Sequence, residues 1–162
     1  MRKIDLLVVH CSATPPNIDW GVDEIRDLHV NEFGWSDIGY HYVIKRDGTR
    51  EVGRTEARIG AHCKGHNANS IGICLVGGVD ENGDGENNFT DYQMDELHFL
   101  LKELIEQRHP EAKVLGHRDL SPDADGDGIV EEHEWLKECP CFDVREDLTD
   151  MGLQEWCAPE GV

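Results

Sequence analysis

A single-domain mixed β-sheet flanked by helices, an α/β fold, is what three features of the sequence predict. Apolar runs of strand length interleave with stretches of helical periodicity from one end of the chain to the other. The run IDLLVVHC, residues 4–11, is apolar on nearly every residue, as a central strand covered on both faces is. A length of 162 residues suits one domain with a real core and is short for two.

The elements follow in order. Residues 4–11 form the first strand, and Asp5 and His10 break up any export-signal core that the preceding MRK suggests. In VDEIRDLHVNEF, 22–33, Val22, Ile25 and His29 or Leu28 share one stripe of a helix. YHYVIKRDGTREVGR, 40–54, reads as a hairpin turning at Asp47-Gly48. SIGICLVGG, 70–78, is a second buried strand. Thr90 and Gln93 make a capping box, from which Met94, Leu97, Leu100, Leu101, Leu104 and Ile105 run as an amphipathic helix to about His109-Pro110. KVLGHRD, 113–119, is a short strand and DVREDLTDMGL, 143–153, a last helix. The domain is thus expected over 1–153, with 154–162 as a tail, and no repeat or low-complexity linker divides it.

Composition narrows the function classes. Hydrophobic residues are 38% and charged residues 30%, a folded rather than a disordered balance. The longest apolar runs are too short to cross a bilayer. A net charge of −19 argues against a nucleic-acid partner and against stable docking on an anionic membrane. Six cysteines permit disulfides, but Cys11 and Cys74 lie in strand-like runs and read as free buried thiols, a pattern suited to a reducing cytoplasm.

Part of the acidity is local. DADGDGIVEEHE, residues 123–134, matches an EF-hand-like calcium loop at each ligand position. Asp123, Asp125 and Asp127 fill positions 1, 3 and 5, Ile129 offers its carbonyl at 7, Glu131 stands at 9, and Glu134 is the closing glutamate at 12. Gly128 takes the turn position and Val130 the apolar one. The incoming helix is missing, and VEEHEWLKE could supply a short outgoing one. A second stretch, DENGDGENNFTD (80–91), imitates only the first half of the pattern and reads as a flexible acidic loop.

A second candidate metal site is scattered. His10 ends the first strand, the strand over 113–119 carries His117, and KECPCFD adds Cys139 and Cys141. Two imidazoles and a thiolate leave a fourth position open on a tetrahedral metal, the arrangement of a catalytic zinc, whose bound water reaches a pKa of about 7. Spacing alone makes this a weak signal, since with nine histidines a pair at strand ends is more often structural.

The blocks VVHCSATPP, GYHYVIKRDG, GAHCKGHNANSIGICLVGG, GHRDLSP and KECPCFD, in that order from about Ile4 to Val144, resemble the zinc-dependent type-2 N-acetylmuramoyl-L-alanine amidases, whose fold is that of the peptidoglycan-recognition proteins. The likeness is strongest to the amidase endolysins of T-odd phages. It implies zinc held by His10, His117 and Cys139, with Cys141 at the variable position of the K-x-C-P-x-F-D pattern. It implies Tyr40 and Lys137 as catalytic side chains, and His62 as a substrate contact near the metal, with Asn67, Asn69 and Ser70 shaping its loop. His41, on the opposite face from Tyr40 by strand alternation, reads as structural, as do His29, His98 and His109.

The resemblance implies hydrolysis of the amide between N-acetylmuramic acid and L-alanine in peptidoglycan. The enzyme would be a monomer made without an export signal in the cytoplasm of an infected or producing bacterium, reaching the wall after another protein has permeabilised the membrane. Two alternatives stand beside the endolysin: a non-catalytic peptidoglycan-binding module of the same fold, and a bacterial wall-recycling amidase. Calcium between His117 and Cys139 would order the arm presenting Lys137.

Overall fold

Five strands form one sheet in the order β3-β2-β4-β1-β5, in a computed structural model that describes residues 1–162. β1 (Leu6–Cys11) runs parallel to β4 (Ser70–Leu75) on one side and to β5 (Lys113–Gly116) on the other. β2 (Tyr42–Ile44) pairs parallel with β4, and β3 (Arg50–Val52) closes the edge antiparallel to β2 across the expected turn. Every residue of β1 and β4 is buried, which is why both read as continuous apolar runs.

Strand alternation sorts the side chains into two cores. Leu7 and Val9 of β1 join Ile71, Ile73 and Leu75 of β4 beneath α2 (Asp91–Gln107), which contributes Leu97, Leu100, Leu101, Leu104 and Ile105. The capping box forms as read: the Thr90 hydroxyl accepts from the Gln93 amide at 3.2 Å, and the Gln93 carboxamide oxygen accepts from the Thr90 amide at 3.1 Å. α3 (Val144–Asp150) adds Val144 and Leu148 and is joined to α2 by His98 and Asp147, 2.7 Å apart. On the other face Val43, Cys74 and Val76 pack with α1 (Val22–Asp27), and Leu6, Val8 and Leu115 form a smaller cluster. His10 shares the parity of Leu6 and Val8, so it emerges on this second face, away from α2.

Five segments differ from expectation, each for a local reason. The helix begun at Val22 widens after Asp27 into a π turn over Leu28–Glu32, with the Phe33 amide donating to the Leu28 carbonyl. The strand expected over 113–119 stops at Gly116, because the Asp119 carboxylate accepts from the Gly116 amide at 2.7 Å and curls His117–Leu120 into a 3-10 turn. The outgoing helix after the acidic loop is a single turn, Glu132–Glu134; Trp135 then leaves in extended conformation and lies over the Arg118 guanidinium at 4.0 Å. Residues 154–162 are no free tail: Ala158 is buried, its amide donates to the Val114 carbonyl at 2.9 Å, and Trp156 and Cys157 pack on the main core. The 80–91 stretch is likewise closed on itself, with Val79 bridged to Gly85 and Asp80 accepting from the amides of Asn82 and Asp84.

Candidate metal centre and cleft

The parallel arrangement brings the ends of β1 and β5 side by side, and this places His10 next to His117. Their rings are 4.6 Å apart between centroids. The third member arrives on the segment before α3. The Cys139 carbonyl accepts from the Arg118 amide at 2.8 Å, and the Cys139 sulfur accepts from the Cys11 amide at 3.2 Å. Gly116 makes this approach possible, since a Cβ there would stand 2.9 Å from the ring of Pro140. The result is that one ligating atom from each of His10, His117 and Cys139 lies within 4.8 Å of the others. His10 Nδ1 is 3.7 Å from the Cys139 sulfur. Two imidazole nitrogens and one thiolate, gathered in this way, fit the donor chemistry of a catalytic zinc.

Cys141 does not join them. Its backbone takes a left-handed conformation, φ 71°, and its sulfur turns to Cys11, 3.9 Å away. That contact, together with burial, pushes the Cys141 thiol well up and keeps it protonated. No cysteine is disulfide-bonded, and Cys11 and Cys74 are buried as expected.

A cleft of about 530 Å³ opens beside the three-residue cluster, bordered by Trp35, His62, Lys64, Asn67, His117 and Lys137, so His117 is the donor that lines it. Lys137 is exposed on its rim. The Tyr40 ring lies 5.2 Å from that of His10, and withdrawal from solvent, with the thiols of Cys74, Cys139 and Cys11 close by, holds the phenol well above its ordinary pKa, so it is a hydrogen-bond donor. Behind Tyr40, His29 accepts from the Gly39 amide at 2.9 Å and packs on Trp35, a structural role. Trp35 and Lys64 were not singled out from sequence. Their position beside GYH and GAH was the available signal.

His62 borders the cleft but is nearly buried, and both of its ring nitrogens are engaged inside the protein. Asn67 accepts from the amides of His62 and Cys63 at 2.8 and 2.9 Å, fixing that loop. Burial drives the His62 imidazole down to about 3 and also depresses His10 strongly, with the neighbouring histidines acting in the same direction.

His41 is fully buried on the same face, accepting from the Gly72 amide at 3.0 Å and donating from its other nitrogen to the Arg58 carbonyl at 3.0 Å. Burial lowers it from 6.5 to about 4, partly offset by that carbonyl. The unfolded chain therefore takes up a proton near pH 6.5 that the folded chain refuses until about 4. Stability is complete above pH 6.5 and falls as pH drops toward 4, by about 3 kcal/mol at about 1.4 kcal/mol per pH unit. Urea denaturation of wild type and His41→Asn at pH 7 and pH 4.5 measures this: the variant should show the smaller loss on acidification.

The acidic loop reproduces part of the calcium pattern. Carboxylate oxygens of Asp123, Asp125 and Glu134 come within 4.8 Å of one another, while Glu131 groups with Asp125 and His133 instead. The Glu134 carboxylate accepts from the amides of Ala124, Asp125 and Glu131 at 2.6, 3.2 and 3.0 Å, folding the loop onto its own last ligand position. Asp127 and Ile129 are exposed, and the Asp127 carboxylate caps the Ile129 amide at 2.8 Å.

Comparison with known proteins agrees with this picture. The sequence pattern of the N-acetylmuramoyl-L-alanine amidase family matches residues 1–140. The endolysin of Escherichia phage T7 is 45% identical over 144 residues, 89% of this chain and 85% of the phage protein. The endolysin of Enterobacteria phage K11 is 46% identical over 137 residues, 85% of this chain and 80% of its own. Among solved structures, the N-acetylmuramoyl-L-alanine amidase LysC from Clostridium intestinale superposes with a TM-score of 0.69 at 27% identity, covering 94% of this chain and 87% of that one. With the family pattern spanning the strands, the histidines and Cys139, the chain belongs to the N-acetylmuramoyl-L-alanine amidase family.

Proposed function

We propose that the chain is an endolysin-type amidase that hydrolyses the bond between the lactyl group of N-acetylmuramic acid and L-alanine, with zinc held by His10, His117 and Cys139. The convergence of these three donors, with His117 bordering the cleft, carries the reading. Zinc, when bound there, would polarise the amide carbonyl and activate the attacking water. The chain's own groups do the rest. The Cys11 amide steadies the Cys139 sulfur as a ligand. The Tyr40 phenol, kept protonated, donates a hydrogen bond toward the reacting carbonyl or water. Lys137, on the rim, brings an ammonium to the negative charge that grows on the carbonyl oxygen as the tetrahedral centre forms.

Mass spectrometry of purified peptidoglycan treated with the zinc-loaded protein tests this. Free stem peptides beginning at L-alanine, with intact glycan strands, are the expected products. No release by folded, zinc-bound protein would favour a binding module of the same fold.

The loop at 123–134 is, in the same proposal, a structural calcium site formed by Asp123, Asp125, Asp127, the Ile129 carbonyl, Glu131 and Glu134. The meeting of the Asp123, Asp125 and Glu134 carboxylates, which repel one another without a cation, supports it. Calcium at a hundredfold excess over its Kd should stabilise the fold by about 2.7 kcal/mol. Thermal melts with calcium and with EGTA measure that increment, and Asp125→Ala should remove it while leaving the melt in EGTA in place.

A further inference from the structure

We infer that His62 and Ser70 are positioning residues that set the tautomer of His10 and so aim its Nδ1 lone pair at the metal. The identity of the metal rests on the zinc reading above. The tautomer rests only on hydrogen-bond directions within the chain.

The directions can be traced from the outer end. Ser70 opens β4 and is completely buried. Its Oγ lies 2.7 Å from the His66 carbonyl and 3.1 Å from His62 Nε2. A carbonyl oxygen only accepts, so the single hydroxyl proton of Ser70 goes to His66. His62 Nε2 must then carry the proton that reaches Ser70 Oγ. The buried ring has a hydroxyl and another imidazole as its partners and no carboxylate to balance a charge, so it holds a single proton and His62 Nδ1 is an acceptor. That nitrogen stands 2.9 Å from His10 Nε2. Two lone pairs would repel at this distance, hence His10 Nε2 bears the proton. His10 Nδ1 is left unprotonated, and it is the nitrogen that faces Cys139.

The position of His62 is built into the backbone. A Cβ on Gly72 would come within 2.5 Å of the His62 ring, and one on Gly60 within 2.7 Å, so two glycines open the slot the ring occupies. The ring meets that of His10 edge-on, at 4.9 Å and 89°. With both nitrogens committed inward, His62 has only its carbon edge to offer a substrate in the cleft. Metal-binding histidines commonly donate their second nitrogen to a carboxylate, carbonyl or water, which fixes the tautomer and raises basicity. Here an imidazole, a hydroxyl and the His66 carbonyl, in series, take that place.

The relay makes two independent demands. In zinc-free, uniformly 15N-labelled wild type, long-range 1H–15N imidazole spectra should show His10 and His62 both as Nε2–H tautomers. A proton on His10 Nδ1 would overturn the inference. Zinc affinity, read by competition with a chromogenic chelator, should weaken by roughly 10–100-fold in Ser70→Ala and His62→Leu. His62→Gln, whose amide oxygen can accept from His10 Nε2, should stay close to wild type, which a merely structural role of the ring would not produce. Equal affinity in wild type, Ser70→Ala and His62→Leu would also overturn it. Failure of wild type to take up zinc would count against the metal reading instead, because the tautomers of the metal-free protein decide the relay separately.

Discussion

Cys139→Ser should bring amide hydrolysis down by roughly 10³-fold or more, the consequence of losing Lewis-acid assistance worth several kcal/mol at the transition state. The Cys139 sulfur is 3.7 Å from His10 Nδ1, takes the Cys11 amide, and is the only thiol placed with both histidines. Cys141 cannot replace it without unwinding a left-handed residue and leaving Cys11. Zinc content by atomic absorption, measured beside turnover, should fall in Cys139→Ser and stay unchanged in Cys141→Ser. Loss of zinc from the second variant instead of the first would reassign the ligand.

Lys137→Ala should lower kcat by about 10²–10³-fold, the usual effect of removing one donor aimed at a developing oxyanion. The side chain is exposed in the free protein and contributes to no core, so its removal should leave the melting temperature and zinc content alone. KM should change little if the ammonium acts on the transition state more than on the bound substrate. Steady-state kinetics on soluble muropeptides separate the two. A large rise in KM at constant kcat would make Lys137 a binding residue for a substrate carboxylate.

The frame of the molecule was visible in the sequence wherever one physical signal was local and strong. β1 shows itself by uninterrupted apolar residues, and α2 by its capping box and leucine spacing. The strand end carrying His10 is therefore legible, whereas His117 reads as part of a strand that in fact stops at Gly116. What the sequence did not show depended on long-range register. Ser70, His62 and His10 meet because β1 and β4 are parallel and aligned with His10 opposite Cys74, and no periodicity of either segment reports that alignment. The assignment of His62 as a substrate contact came from its nearness to the metal, and only the directions of its hydrogen bonds show where both nitrogens go. The choice between Cys139 and Cys141 rested on the resemblance, since a spacing of two leaves both in reach. A backbone angle of 71° at Cys141 turns one of them aside. Residues 154–162 read as a tail because their docking, through buried Ala158, a strand-edge carbonyl and the isolated Trp156 and Cys157, leaves no periodic pattern.

The proposed metal donors come from the first strand and from a segment 129 residues later, with His117 between them. During synthesis at about 5–20 residues per second, His10 leaves the ribosome on the order of ten seconds before Cys139 does. On the proposed zinc reading, a chain that has emerged only as far as Leu120 holds His10 and His117 without the thiolate. A fragment ending before residue 139 should therefore bind no zinc at this site, which atomic absorption on such a fragment would check.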